Sequence, residues 1–195
     1  MKALPRNAAL LVVDLQRGFD DPAWGPRSNP QMEANVARLL DAWRAANAPV
    51  IHVRHDSPHA DGRMRPGTIG NSPKPEGAAL ASEWIYHKSV NSAFIGTTLE
   101  GDLRKRGIRA LVIVGLTTNH CISTTARMAG NLGFETIVVS DATAAFARRG
   151  VDGTLRDAGD VHAAALSDLQ DEFAEVADTA KTLSALARAQ AKAHA

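Results

Sequence analysis

The 195-residue sequence contains a single cysteine, Cys121, and few aromatic residues, which make up 5% of the chain. One cysteine excludes an internal disulfide framework and any zinc or iron–sulfur site built from several thiolates. The longest apolar runs, residues 8–13 and 110–114, are far shorter than the roughly 20 residues that cross a bilayer. We expect no signal peptide, because the apolar run near the N-terminus is short and stops at Asp14. These absences predict a cytoplasmic protein with no membrane partner.

An excess of charge of either sign is also missing. Lys and Arg total 22 and Asp and Glu total 21, so the formal net charge is +1. Nucleic acid is therefore not expected as a partner, since phosphate binding needs a strongly basic surface. The remaining composition, 45% hydrophobic and 22% charged, is that of an ordinary globular protein with enough sequence for a real core. We expect one domain over residues 1–195.

Short apolar runs alternate with helical patterns along the chain. The predicted strands are residues 8–13, 50–53, 84–88, 109–114, 135–140 and 174–177. The predicted helices are residues 30–48, 99–106, 121–132 and 161–173, and a last helix starting at Thr179. Apolar strands separated by amphipathic helices indicate a three-layer α/β/α, Rossmann-like fold, with a mainly parallel sheet covered on both faces. The long aperiodic stretch between His55 and Ala79 is typical of a functional loop.

Three chemically useful side chains lie at or after the ends of predicted strands. Asp14 follows the first strand, Lys88 ends the third, and Cys121 closes the turn Gly-Leu-Thr-Thr-Asn-His-Cys after the fourth. Ligands of such sheets bind outside the carboxyl ends of the strands, so we expect these groups to converge. Each also has an ordinary explanation: a turn-capping aspartate, a solvated lysine and a small buried cysteine.

Together the three residues meet the needs of nucleophilic catalysis. Cys121 opens a predicted helix, where the helix dipole and free N–H groups lower a thiol pKa. The same N–H groups can stabilise an oxyanion. Asp14 can take the thiol proton and later activate water, and Lys88 can balance both negative groups. The pattern predicts a hydrolase that uses Cys121 as its nucleophile.

At these residues the sequence resembles the isochorismatase-like cysteine hydrolases. The matching segments are Val13–Gln16 with Phe19, Lys88–Phe94 continued by Gly96–Leu99, Val114–Arg127, Ser140–Thr143 and His162–Leu166. The resemblance implies the three-layer fold, an Asp14/Lys88/Cys121 triad and no cofactor. It implies hydrolysis of a C–N bond in a small amide, carbamoyl or lactam substrate through a thioester. It also implies a cis peptide between Leu116 and Thr117, with the N–H groups of Thr117 and Cys121 forming an oxyanion hole.

Two departures from relatives within this superfamily bear on the reaction. True isochorismatases resemble this chain only without the cysteine, so Cys121 counts against vinyl-ether cleavage. Nicotinamidases carry an Asp-x-His and a further His that bind a metal. The corresponding stretch here has His52, His55, Asp56 and His59 without that pattern. These side chains could still ligate zinc, although we predict no metal.

The sequence gives fewer signals for the substrate pocket, the oligomeric state and the alternative functions. Phe19, Trp84 and His120 adjoin the catalytic segments and are predicted to line the pocket, with core packing an equal alternative for the two aromatic residues. The family resemblance implies a homo-oligomer, either a dimer or a tetramer. Two other functions stay open: a metal-dependent nicotinamidase-type amidase, and a non-catalytic α/β ligand-binding or scaffold protein. No Gly-x-Gly-x-x-Gly or Walker-type loop follows any predicted strand, which disfavours a nucleotide-binding module.

Overall fold

The alternating pattern folds into strands and helices that the computed structural model describes over residues 4–191. The strands are β1 (Ala9–Val13), β2 (Val50–His55), β3 (Trp84–Lys88), β4 (Ala110–Leu116), β5 (Glu135–Ala144), β6 (Arg148–Arg149), β7 (Leu155–Arg156) and β8 (Glu175–Ala177). The helices are α1 (Met32–Ala45), α2 (Leu99–Lys105), α3 (Ser123–Asn131), α4 (Ala158–Ser167) and α5 (Thr179–Ala191). Within residues 4–191, none of these helices combines the length and apolar composition needed to cross a bilayer.

A six-stranded parallel sheet in the order β3-β2-β1-β4-β5-β8 forms the middle layer. Alternate residues of β1 point to opposite faces, so Leu10 packs in the core under α1 and α5 while Leu11 packs under α2 and α3. Both faces of the central strands are therefore covered, which explains why β1 and β4 read as continuous apolar runs. The predicted three-layer α/β/α architecture is confirmed.

The strand order places a topological switch point between β1 and β4. The chain leaves β1 toward β2 on one side and reaches β4 on the other, so the carboxyl ends of these two strands open onto a crevice. Asp14 follows β1 at this point. Gly115 lies in the facing part of β4 with φ of 115°, and a Cβ atom there would collide with the Val13 carbonyl oxygen. The close approach of the two strands thus depends on this glycine.

Two predicted helices begin at different residues in the structure. The helix predicted over 161–173 is α4, which begins earlier because the Asp157 carboxylate accepts the Asp160 N–H at 2.8 Å and caps it. It ends at Ser167, and the chain then turns through Asp171 (φ 66°) into β8. The helix predicted from Cys121 starts instead as a π-helical turn, Thr118–Ile122, which leads into α3.

Candidate active site

The structure brings the carboxylate of Asp14, the ammonium of Lys88 and the thiol of Cys121 together at the carboxyl edge of the sheet. Lys88 Nζ lies 2.7 Å from Asp14 Oδ2 and 3.4 Å from Cys121 Sγ, and it donates to the Val90 carbonyl at 3.1 Å. Lys88 ends β3, which is separated from β1 by β2, so its long side chain must bridge roughly 10 Å between strand axes.

Asp14 is held in a conformation that buries its side chain completely. Its φ is 51°, directly after β1, and its N–H donates to the Val53 carbonyl at 2.8 Å. Oδ2 accepts from Lys88, whereas Oδ1 accepts no hydrogen bond of good geometry from the described part of the chain. Burial raises the pKa of Asp14, and the Lys88 charge opposes that rise. The Cys121 thiol also interacts with this carboxylate and lowers its pKa, and Oδ1 is the oxygen left without a partner of good geometry within residues 4–191.

Cys121 lies in the π-helical turn between β4 and α3. The wide turn is closed by the Ile122 N–H, which donates to the Thr117 carbonyl at 3.2 Å. The residue is partly exposed, yet desolvation and the neighbouring Asp14 carboxylate raise the pKa of the thiol to about 12. Contrary to the expectation of a lowered thiol pKa, burial and the Asp14 charge outweigh the Lys88 charge.

Thr117, a predicted oxyanion-hole residue, lies between β4 and the π-helical turn. The peptide bond between Leu116 and Thr117 is cis, at the position that the family resemblance implies. The Thr117 side chain is buried, and its carbonyl accepts the N–H groups of His120 and Ile122. Thr117 is therefore fixed at the base of the turn that carries Cys121.

Next to this turn lies a small cavity of about 190 Å³. Its lining includes Trp24, Thr117, Asn119, His120, Phe146 and Arg148. His120 lines this cavity, and its contact with a substrate stays a prediction. Neither this cavity nor three larger depressions, of about 420, 550 and 750 Å³, has Asp14, Lys88 or Cys121 in its lining.

Phe19 supports the wall of this cavity from behind. Its ring centroid lies 5.3 Å from that of Trp24 and 6.1 Å from that of Phe146, and these two rings stack at 5.3 Å. Phe19 itself is buried and does not belong to the lining. Sequence reasoning missed Trp24 and Phe146, which are far apart in the chain and belong to no motif. Aromatic residues are scarce in this chain, and that scarcity is the one feature of the sequence that could have drawn attention to Trp24 and Phe146.

Trp84 is not brought to this site. It begins β3, and Lys88 ends the same strand four residues later, about 13 Å away along the strand. The Arg106 guanidinium lies 3.7 Å from the Trp84 ring centroid, beside a separate depression of about 420 Å³. The prediction that Trp84 lines the substrate pocket fails, because Trp84 lies at the amino end of β3 and the site lies at the carboxyl ends of the strands.

The four candidate zinc ligands do not converge. His52 Nε2 lies 2.9 Å from Glu83 Oε2, and Asp56 Oδ2 lies 3.0 Å from His87 Nδ1. His59 is exposed in the loop, and His55 faces Lys88. Within residues 4–191, no three or more His, Cys, Asp or Glu side chains are grouped so that they could hold a metal ion.

His55 and Gln16 border the site, although sequence reasoning did not select them as site residues. His55 Nδ1 lies 3.4 Å from Lys88 Nζ, and burial together with the Lys88 charge lowers the pKa of its ring. Because an ammonium only donates, Nδ1 of a neutral His55 is the acceptor. The buried Gln16 amide accepts the His55 N–H at 2.8 Å and donates to the carbonyls of His55 and Asn71. Gln16 thereby joins the end of β2 to the long loop.

Comparison with known proteins places this geometry in a family. A family model described as the isochorismatase domain matches residues 8–181. The uncharacterized isochorismatase family protein YrdC of Bacillus subtilis is 43% identical over 176 residues, covering 90% of this chain and 94% of that protein. A crystal structure of an isochorismatase-family protein from Chromobacterium violaceum superposes with a TM-score of 0.94 at 41% identity, covering 96% of this chain and 97% of that one.

Relatives with named activities are more distant. Nicotinamidase 3 of Arabidopsis thaliana is 31% identical, covering 89% of this chain and 86% of that protein. Ureidoacrylate amidohydrolase RutB of Agrobacterium fabrum is also 31% identical, covering 71% of this chain and 76% of that protein. The structure of a cysteine hydrolase from Pseudomonas syringae gives a TM-score of 0.87 at 29% identity, covering 97% of this chain and 96% of that one. From the family match over residues 8–181 and these relatives, the chain belongs to the isochorismatase family of hydrolases.

Proposed function

We propose that the protein is a cysteine-dependent amidohydrolase that cleaves a C–N bond in a small amide, carbamoyl or lactam substrate. The proposal rests on one observation: Lys88 Nζ lies within hydrogen-bonding distance of both Asp14 Oδ2 and Cys121 Sγ, and Cys121 is partly exposed to solvent. A nucleophile, a base and a balancing cation are thus in contact. The relatives named as a nicotinamidase and a ureidoacrylate amidohydrolase support the class of bond.

The first step forms a carbon–sulfur bond. The Cys121 sulfur attacks the carbonyl carbon while its proton passes to Asp14, whose unpartnered Oδ1 is the acceptor. Because the thiol pKa is raised to about 12, the proton stays on sulfur until the attack begins. The Lys88 ammonium stabilises the negative charge on both groups, and the N–H groups of Thr117 and Cys121 stabilise the oxyanion.

The second step breaks the C–N bond. Asp14 returns its proton to the leaving nitrogen, which departs as an amine or ammonia, or in a lactam stays tethered as a new amine, and a thioester remains on Cys121. Asp14 then takes a proton from a water molecule, and the resulting hydroxide attacks the thioester carbon. The carboxylic acid leaves and the sulfur regains a proton from Asp14. One water is consumed for each C–N bond cleaved, and Asp14, Lys88 and Cys121 return to their starting states.

The test is a screen for release of ammonia or amine from small amides and ureido compounds, and for ring opening of lactams, with and without a chelator. Cys121→Ala and Cys121→Ser should lose turnover to the background level while keeping the wild-type melting temperature. Acid quenching of the wild type during turnover should show an acyl adduct on Cys121, the sole cysteine.

Three outcomes oppose the proposal. Hydrolysis that survives in Cys121→Ala would overturn the thioester mechanism. Turnover that the chelator abolishes would favour the metal-dependent nicotinamidase-type alternative. Stoichiometric ligand binding with no hydrolysis across the screen would favour a non-catalytic ligand-binding or scaffold protein.

A further inference from the structure

The Thr118 hydroxyl, at the start of the π-helical turn, is held by a side chain of another helix. Thr118 is completely buried, and its Oγ1 lies 2.8 Å from Nδ1 of His162 in α4. Within residues 4–191, this ring is the only hydrogen-bond partner of the hydroxyl. Thr117 and Cys121 belong to the same short segment as Thr118. A contact to Thr118 can therefore fix the orientation of both the nucleophile and the predicted oxyanion-hole residue.

The surroundings of His162 determine which ring nitrogen carries the proton. Nε2 lies 3.2 Å from Asn29 Nδ2, whose two N–H groups donate to the carbonyls of Ser140 at 2.8 Å and Thr143 at 2.7 Å. Asn29 therefore has no N–H left for Nε2. The ring also hydrogen-bonds the Ser140 carbonyl, which requires an N–H on the ring. Because partial burial lowers the pKa of His162, the ring is neutral near neutral pH, so Nε2 carries its one proton and Nδ1 accepts the Thr118 hydroxyl.

An irregularity in β5 frees the carbonyls that hold His162 in place. Where β4 advances two residues, β5 advances five, from Val138 to Thr143, so the segment that includes Ser140 bulges out of the sheet. Asn29 adopts a φ of 48°, which asparagine tolerates, and its amide replaces the lost strand partners of Ser140 and Thr143. The Nε2 side of His162 is thus fixed against the sheet, independently of the π-helical turn.

We propose that His162 is a positioning residue of this site, which holds Thr118 through Nδ1 and thereby fixes the π-helical turn that carries Cys121. The ring is anchored to β5 on one side and to the turn on the other, so the nucleophile is held against the rigid sheet. His162 acts through Thr118 and not on the reacting atoms. The expected effect on turnover rests on the proposed function, whereas the expected effect on the thiol does not.

Two amide variants separate the roles of the two ring nitrogens. His162→Asn keeps an acceptor at the position of Nδ1, whereas His162→Gln places its amide at the position of Nε2 and leaves Thr118 without an acceptor. With an amide that the wild type cleaves, kcat should fall roughly tenfold to a hundredfold in His162→Gln while KM changes less than about threefold, because a misplaced reacting group slows the chemical step. His162→Asn should retain most of the wild-type kcat. Thr118→Val should reproduce the loss seen in His162→Gln, and the two changes combined should lower kcat no further.

Alkylation of Cys121 by iodoacetamide measures the same effect without turnover. Burial raises the pKa of the thiol, so a turn released from His162 exposes the sulfur and allows more thiolate to form. The rate at one pH should rise several-fold in Thr118→Val and His162→Gln and stay at the wild-type value in His162→Asn. Thr182→Val is the control, since Thr182 is an equally buried threonine in α5 whose hydroxyl also makes a hydrogen bond. It should leave both kcat and the alkylation rate unchanged.

NMR spectroscopy reads the tautomer of His162 directly. Long-range ¹H–¹⁵N spectra of the wild type near neutral pH should show a proton on Nε2 and none on Nδ1, with the signals assigned by their loss in His162→Asn. A proton on Nδ1 would overturn the proposal, since Nδ1 could then not accept the Thr118 hydroxyl.

Failure of this inference and failure of the proposed function give different results. Cys121-dependent hydrolysis with the same kcat and the same alkylation rate in His162→Gln and His162→Asn would overturn the role of His162 and leave the hydrolase intact. The expected pattern of alkylation rates, in a protein that cleaves none of the amides, would retain the positioning of the thiol and reject the hydrolysis.

Discussion

Replacing Lys88 with methionine removes a charge while keeping a side chain of similar length. The side chains of Lys88 and Asp14 are 0% and 1% exposed, so the substitution leaves a carboxylate fully buried with no cation beside it. Breaking a buried ion pair from one side costs about 3–5 kcal/mol. We expect Lys88→Met to lower the free energy of unfolding by about this amount at pH 8.

The loss should depend on pH with a definite sign. Burial already raises the pKa of Asp14 above 3.8, and removal of Lys88 raises it further. The folded protein then holds a proton that the unfolded chain has released, so stability falls as pH rises from about 4 through the folded pKa, by at most about 1.4 kcal/mol per pH unit. Below about pH 4, Asp14 is protonated in both states and the loss shrinks.

Urea denaturation followed by tryptophan fluorescence at pH 4, 6 and 8 measures the effect. With a denaturant slope of roughly 2 kcal/mol/M, the midpoint should fall by roughly 1.5–2.5 M at pH 8. Lys105→Met, at a lysine whose side chain is 80% exposed, should change stability by less than about 0.5 kcal/mol. The double variant Asp14→Asn/Lys88→Met should recover most of the loss and its pH dependence. An equal loss in Lys88→Met at pH 4 and pH 8 would refute the reasoning.

Three further predictions follow from the same geometry. Because the Cys121 pKa is raised to about 12, its alkylation by iodoacetamide should accelerate about tenfold per unit between pH 7 and 10, and a plateau near pH 8 would contradict that pKa. Gln16→Leu should lower the free energy of unfolding by about 3 kcal/mol and expose the 56–79 loop to protease, since three hydrogen bonds are lost; wild-type protease resistance would show that the loop is held otherwise. Gly115→Ala should destabilise by more than about 3 kcal/mol in urea, since its Cβ meets the Val13 carbonyl, and near-wild-type stability would contradict the close strand contact.

The positions of the three central site residues follow from local features of the chain. Apolar runs identify the strands, and the polar residue at or after each strand end reaches the carboxyl edge of a parallel sheet whatever the packing details. For this reason Asp14, Lys88 and Cys121 were selected correctly as neighbours. Trp84 is the first residue of the strand that Lys88 ends, so the same local argument places it at the opposite end of the sheet and excludes it from the site. Homo-oligomerisation and a cytoplasmic location stay predictions.

By itself, the sequence determined the layered fold, the order of its elements and the residues available for chemistry, since each depends on short-range patterns of apolar and polar side chains. Only the tertiary structure decided the environment of those residues. The raised pKa of Cys121 comes first from burial and then from Asp14, which is more than one hundred residues away. The cavity beside the nucleophile is built from residues that include Trp24, Phe146 and Arg148. Burial and charge at a site are sums over neighbours from distant segments, and no local pattern contains them.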